Sequence, residues 1–265
     1  MEMRRPENIS VELIDTHCHL DVDAFDPDRD EVLTRSRAAG VGGFVVPAVD
    51  AVSWPGLRAL CAAHADLYAA YGLHPVFTAR HADADVAALA PALAAGDVVA
   101  VGEIGLDFFV SDIDRDRQQV LFEAQLAIAR AAGLPVVLHV RKAHDDVLAA
   151  LRRVRVPGGI VHAFNGSLQQ AGQYLELGFC LGFGGMLTYD HSRRLHALAK
   201  ELPVEALVLE TDAPDLTVAS HRGERNSPEY LPEVLATLAR LRETDPGEVA
   251  RQTTDNACKV LRLEV

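Results

Sequence analysis

Cysteine is scarce in this sequence. The 265 residues hold four, Cys18, Cys61, Cys180 and Cys258, far apart and with no C-x-x-C pair. That spacing reads as free thiols in a reducing compartment, so a cytoplasmic location is expected. Long apolar runs are missing too, and none reaches the length needed to span a bilayer. Met1 to Asn8 lacks the apolar stretch of a signal peptide, so neither a membrane anchor nor a leader is expected. Positive charge is in short supply: 25 Lys and Arg against 38 Asp and Glu leave a net charge of −13. This disfavours a broad basic surface that grips duplex nucleic acid through many phosphates. It leaves room for a nucleic-acid substrate held locally by a metal and a few arginines. No G-x-G-x-x-G follows the first apolar run, which argues against a dinucleotide-binding sheet. No Ser/Gly linker, charge run or low-complexity tract divides the chain, so residues 1–265 are expected to form one domain. Nothing implies an obligate protein partner.

With 49% apolar residues the chain can bury a large core. Short, near-continuous apolar runs alternate with helical patterns along its whole length. The runs are Leu13 to His17, Gly43 to Ala48, Leu67 to Gly72, Val98 to Glu103, Pro135 to His139, Gly159 to His162, Phe179 to Phe183 and Ala206 to Glu210. They have the character of parallel strands buried on both faces. The clearest helix is Arg115 to Ala132, with Val120, Leu121, Ala124, Ala127, Ile128 and Ala131 on one stripe and Gly133-Leu134-Pro135 as its stop. Ala84 to Ala95 also reads as helix, Ser227-Pro228 as a helix start, and Thr244 to Leu263 as a closing helix over the barrel. Ala213 to Asn226 is the longest irregular piece, suited to an active-site rim. Eight strand and helix pairs predict a (β/α)₈ TIM barrel.

His17-Cys18-His19 ends the first run. Residues two apart on an extended strand share a face, so both imidazoles project side by side and can seize one divalent ion. Alone this is a weak signal, but other strand ends repeat it. Glu103 ends the fourth run, His139 the fifth, His162 the sixth, and Asp212 follows the eighth. In a barrel these C-terminal ends meet at one mouth. Four imidazoles and two carboxylates are too many for one tetrahedral ion and suit two metals sharing a carboxylate. His64, His81, His144, His191, His196 and His221 fall on helical or loop patterns and read as surface residues.

The blocks Ile14-Asp15-Thr16-His17-Cys18-His19-Leu20, Gly72-Leu73-His74-Pro75, Gly102-Glu103-Ile104-Gly105-Leu106-Asp107 and Glu210-Thr211-Asp212-Ala213-Pro214 resemble the signatures of the TatD-type metal-dependent hydrolases, amidohydrolase-like TIM barrels. Gly105-Leu106-Asp107-Phe108 and Ser167 to Ala171 look closest to the YjjV-like branch. The resemblance implies one metal held by His17, His19, Glu103 and Asp212 and a second held by Glu103, His139 and His162, with Glu103 bridging. It also implies deoxyribonuclease chemistry, with DNA ends or single-stranded DNA as substrate. Val140, Asn165 and Glu224 stand where the family often has Ser, Ser and Lys.

A divalent ion can bring the pKa of its water to about 7, making a nucleophile at neutral pH. Asp212 is the residue placed to accept that proton, while Glu103 joins the two ions. Arg141, two residues past His139, can fork onto phosphate or make a rim salt bridge. His74 can donate to substrate or leaving group, or support a ligand from behind, and Asp107 can orient a ligand or a turn. Imidazole-rich ligation favours Zn²⁺, Mn²⁺ or Fe²⁺, the first two being expected in the purified protein, and the nuclease members add Mg²⁺. Two readings stand beside the phosphodiesterase: hydrolysis of a small ester, amide or lactone at the same site, and a non-catalytic metal-stabilised binding protein.

Overall fold

The computed structural model describes residues 12–263, so the reading of Met1 to Asn8 lies outside the described residues. The chain runs β1 (Leu13–Asp15), α1 (Arg29–Ala38), β2 (Val41–Pro47), α2 (Trp54–Ala63), β3 (Leu67–Tyr71), α3 (Asp83–Leu93), β4 (Val98–Asp107), α4 (Arg115–Ala132), β5 (Val136–Arg141) and α5 (His144–Arg153). It continues β6 (Gly159–Val161), α6 (Leu168–Glu176), β7 (Phe179–Phe183), α7 (Arg193–Glu201), β8 (Leu207–Leu209), α8 (Leu231–Arg242) and α9 (Pro246–Leu261). All eight strands are parallel and ordered β1 to β8 in one sheet, the TIM barrel expected. The seam between β8 and β1 is drawn together by Thr16, whose N–H and Oγ1 both donate to the Leu209 carbonyl at 3.0 and 2.9 Å. The Asp212 N–H on His17 O at 2.8 Å and the His19 N–H on Ala213 O at 2.7 Å extend it to the mouth.

Inside the barrel, Ile14, Val45, Ala70, Ala100, Val137, Ile160 and Val208 pack as one apolar cluster with Ala257 and Leu261 of α9. Strands buried on both faces must be apolar on both, which is why these segments read as unbroken runs. Thr254 Oγ1 donates to Glu12 O, and Asn256 Nδ2 to Val204 O and Leu207 O, tying α9 to the starts of β1 and β8. The closing helix therefore plugs the N-terminal end, opposite the metal-binding candidates. Ser227-Pro228 opens a 3₁₀ turn, Pro228–Tyr230, that leads into α8.

The buried face of α4 corrects the expected stripe. Gln118, Leu121, Phe122, Gln125, Leu126 and Ala129 face inward, whereas Val120 is 59% exposed and Ala127 and Ala131 lie outside. Two glutamines bury because each amide satisfies a backbone that would otherwise be orphaned. Gln125 accepts from the Leu73 N–H at 2.7 Å and donates to its carbonyl at 3.2 Å. Gln118 accepts from the Asp107 N–H and donates to Asp107 O and Pro75 O. Thus α4 fixes the segments carrying His74 and Asp107.

Candidate metal centre

Glu103 lies at the centre of the barrel mouth. The ladder between β4 and β5 shifts register between Val101 and Ile104, and β4 then runs on to Asp107 rather than ending at Glu103. Such a bulge re-aims a side chain. Gly105, at φ +148°, lets the two strands meet there, because a Cβ would collide with the His139 carbonyl. Glu103 is buried, with Oε2 3.2 Å from His17 Nε2 and 3.6 Å from His19 Nε2. Its Oε1 lies 2.9 Å from His139 Nδ1, 3.2 Å from His74 Nε2 and 3.8 Å from His162 Nε2. Asp212 Oδ1 stands 3.6, 3.7 and 3.9 Å from the Nε2 atoms of His17, His19 and His162.

The far ring nitrogens decide which imidazoles can ligate. His19 Nδ1 faces Pro47 O at 3.1 Å, His139 Nε2 faces Asp107 Oδ2 at 3.0 Å, and His162 Nδ1 faces Glu210 Oε1 at 3.2 Å. In the neutral ring each acceptor would hold the proton on the outer nitrogen and turn a lone pair inward, the arrangement that orients metal-binding histidines. His74 is the reverse. Its Nδ1 accepts the Val76 N–H at 3.1 Å, so the proton sits on Nε2 and points at Glu103. Among the described residues the buried His17 Nδ1 has no hydrogen-bond partner.

His17 Nε2 and His19 Nε2 approach within 3.2 Å. Ligands 2.0–2.2 Å from one tetrahedral ion lie about 3.4 Å from one another. The inward atoms have this spacing, so the donor set fits divalent metal. Donor atoms within 4.8 Å of one another form three groups: His17, His19 and Asp212; His17, Glu103 and His162; and His74, Glu103 and His139. His162 thus sits with His17, on which its ring stacks at 3.7 Å, while the family resemblance paired it with His139, 6.2 Å away by ring centroid.

Electrostatics follow from burial among these charges. Burial opposes ionisation of Glu103, yet the surrounding His74, His17 and His139 hold its carboxyl well below the usual range. Burial pushes Asp212 up to about 6. Burial opposes protonation of His162 as well, but Glu210 and Asp212 outweigh it and raise the ring to about 10. His17, buried beside His162, is driven well below its ordinary value. Asp212 and Ala163 take left-handed φ of 60° and 45°, costly for side-chain-bearing residues and held by Asp212 N–H to His17 O and Ala163 N–H to Glu210 Oε1.

A cavity of about 490 Å³ opens from the cluster, within the range of small-molecule sites. His139, Arg141, His162 and Asp212 line it, as do Asp215 and Leu216 from the irregular segment expected at the rim. His74, read from the sequence as a donor to substrate or leaving group or as a support behind the ligands, turns its Nε2 toward Glu103. Asp107 serves both expected roles, with Oδ2 on His139 and Oδ1 accepting the N–H groups of Phe109 and Val110. Among the described residues Arg141 makes no rim salt bridge; its guanidinium lies over the Phe109 ring, 3.7 Å from the centroid. Glu210, to which the sequence reading gives no role, backs His162 and accepts the Ala163 N–H. Its signal was available, since Glu210 and Asp212 repeat the two-residue spacing of His17 and His19. His81 and His144, read as surface residues, are buried: His81 Nε2 lies 2.9 Å from His74 O, and His144 sits between Tyr174 and Asn165. Backbone and side-chain acceptors there satisfy the imidazoles, a pairing that local pattern does not reveal. Cys18 is buried in the barrel wall with burial pushing its thiol up, so it offers no thiolate.

An eight-stranded parallel barrel with imidazoles and carboxylates converging at its C-terminal mouth defines the class of metal-dependent hydrolases. The chain belongs to the TatD family: the family described as TatD related DNase matches residues 14–262. It is 42% identical over 246 residues to the uncharacterized metal-dependent hydrolase YjjV of Escherichia coli K12, covering 92% of this chain and 95% of the relative. The crystal structure of YjjV superposes with a TM-score of 0.92 at 40% identity, covering 95% of this chain and 98% of that one. A protein named 3'-5' ssDNA/RNA exonuclease TatD, from Edwardsiella piscicida, is 34% identical over 259 residues, 95% of this chain and 100% of the relative.

Proposed function

We propose that this hydrolase cleaves phosphodiester bonds at DNA ends or in single strands, using two divalent cations, Mn²⁺ or Zn²⁺ as purified or Mg²⁺ in turnover. The observation that carries the reading is the convergence of His17, His19, His139, His162 and Asp212 on Glu103 at the mouth of one cavity. The exonuclease naming of a relative 34% identical supports the substrate. Bound there, divalent ions would supply Lewis acidity and a water acidic enough to react near neutral pH. Asp212, raised to about 6 by burial, is matched to taking up a proton at neutral pH. Glu103 spans both halves of the donor set, and the His74 Nε2–H holds it in place. Arg141 at the cavity wall is a fork for the phosphate. The four free cysteines support a cytoplasmic location, and among the described residues no helix is long and apolar enough to cross a membrane.

Hydrolysis of a small ester, amide or lactone is the second reading. Phe164, Phe183, Leu187 and Leu195 with Glu210, Asp212 and Asp215 line the same cavity, and Arg141 is the one basic side chain beside its histidines. The experiment is to load the protein with Mn²⁺ and compare wild type, Glu103→Ala and Asp212→Ala on 3′- and 5′-labelled single-stranded DNA and on small esters and amides. DNA cleavage lost in both variants is the expected result. Equal cleavage by all three sinks the mechanism, and turnover of a non-phosphate substrate that both variants lose establishes the second reading.

A further inference from the structure

Phe109 follows β4 under Arg141, a residue of the cavity wall, and is 53% exposed, an unusual position for a large apolar side chain. It does not hang loose. Its N–H donates to Asp107 Oδ1 at 2.8 Å, and the other oxygen of that carboxylate faces His139 Nε2 at 3.0 Å. The backbone that carries the ring is therefore tied to the metal-binding candidates. Two cations gather on it: the Arg141 guanidinium carbon at 3.7 Å and Lys142 Nζ at 5.3 Å from the centroid. Among the described residues neither cation has a carboxylate within 4.0 Å, although the chain carries a net charge of −13. Arg141 also lines the cavity beside His139.

We propose that Phe109, Arg141 and Lys142 form a binding subsite for the nucleotide adjoining the one cleaved, with the base stacked on Phe109 and its phosphate held by the two cations. The proposal rests on the nucleic-acid reading of the active site. A half-exposed aromatic ring with a guanidinium over one face is what single-strand binding uses, because a base can stack on the ring from its open side and the cations can neutralise the linkage. A duplex keeps its bases inside the stack and cannot use Phe109, so the subsite selects single strands. It also suits a chain with a net charge of −13, because the two cations it needs are local to the subsite.

The test is fluorescence anisotropy of the Mn²⁺-loaded protein with two labelled phosphorothioate ten-mers of equal charge, one oligo(dT) and one abasic. Wild type is expected to bind oligo(dT) at least about 5-fold more tightly than the abasic strand, the lower end of one stacked base. In Phe109→Ala that ratio is expected to fall to about 1, and in Phe109→Trp to return. Oligo(dT) is also expected to quench the added tryptophan, which is readable because the chain has a single native Trp, the buried Trp54. Lys142→Gln is expected to weaken both strands alike. A wild-type ratio near 1, or one unchanged by Phe109→Ala, overturns the subsite. A parallel assay of end-labelled DNA separates the two claims. Cleavage without base preference leaves the nuclease standing and the subsite refuted, whereas base preference without cleavage does the reverse.

Discussion

His74 and His139 address the same oxygen of Glu103 with opposite tautomers, one as a donor and the other with a lone pair. That difference separates a residue that steadies Glu103 from one able to ligate, and it depends on single acceptors behind each ring. Asp107→Asn tests this. The amide oxygen can still accept the Phe109 and Val110 N–H groups, but an NH₂ then faces His139 Nε2 and forces the proton onto Nδ1. Metal binding is expected to weaken about 10–100-fold with the fold intact, as Mn²⁺ titration with circular dichroism will show. Protonation gives a second test. A histidine must be neutral to ligate, and His162 is held up to about 10, so at pH 8 the metal must displace its proton. About one proton is expected to be released per binding event, with affinity rising about tenfold per pH unit between roughly 7 and 10. Below about pH 6 Asp212 is protonated as well, and the dependence steepens. Calorimetry in buffers of different ionisation enthalpy measures the proton directly.

Elements divide between those that hold the mouth and those that hold the base. Gln125 of α4 closes both hydrogen bonds of Leu73, next to His74, so Gln125→Leu leaves a buried N–H and C=O unpaired. A loss of about 2–4 kcal/mol in urea denaturation is expected, with reduced turnover because the His74 segment is released. Leu261 of α9 lies in the cluster that plugs the opposite end. Leu261→Ala is expected to cost about 2–5 kcal/mol through the cavity it leaves, with kcat kept. A fall in kcat matching that of Gln125→Leu would show that the two ends are coupled. The polar face of α4 also marks where pattern reading stops. Apolar spacing located Arg115 to Ala132 as a helix but chose a stripe containing exposed Val120, because no periodicity shows that a glutamine will find a backbone to pair with.

For the whole molecule, the cluster gathers like-charged carboxylates that a bound cation relieves. A ligand that binds only the folded state at about 100 times its Kd adds about 2.7 kcal/mol. A chain of this size gains about 2–4 °C per kcal/mol. EDTA is therefore expected to lower the Tm of the Mn²⁺-loaded protein by about 5–10 °C, read by differential scanning fluorimetry. An unchanged Tm would argue against a resident metal. Eight apolar runs of strand length with helices between them were enough to specify the barrel, because strands buried on both faces must be apolar throughout. The same runs placed His17, His19, Glu103, His139, His162 and Asp212 together, since all C-terminal ends of a barrel open at one mouth. Sequence alone therefore determined the fold and which residues meet. Which nitrogen of each ring faces inward, that His162 lies against His17, that Glu210 stands behind His162 and that Arg141 rests on Phe109 were decided by the tertiary structure. Those choices depend on contacts between residues far apart in the chain, and local spacing carries no information about them.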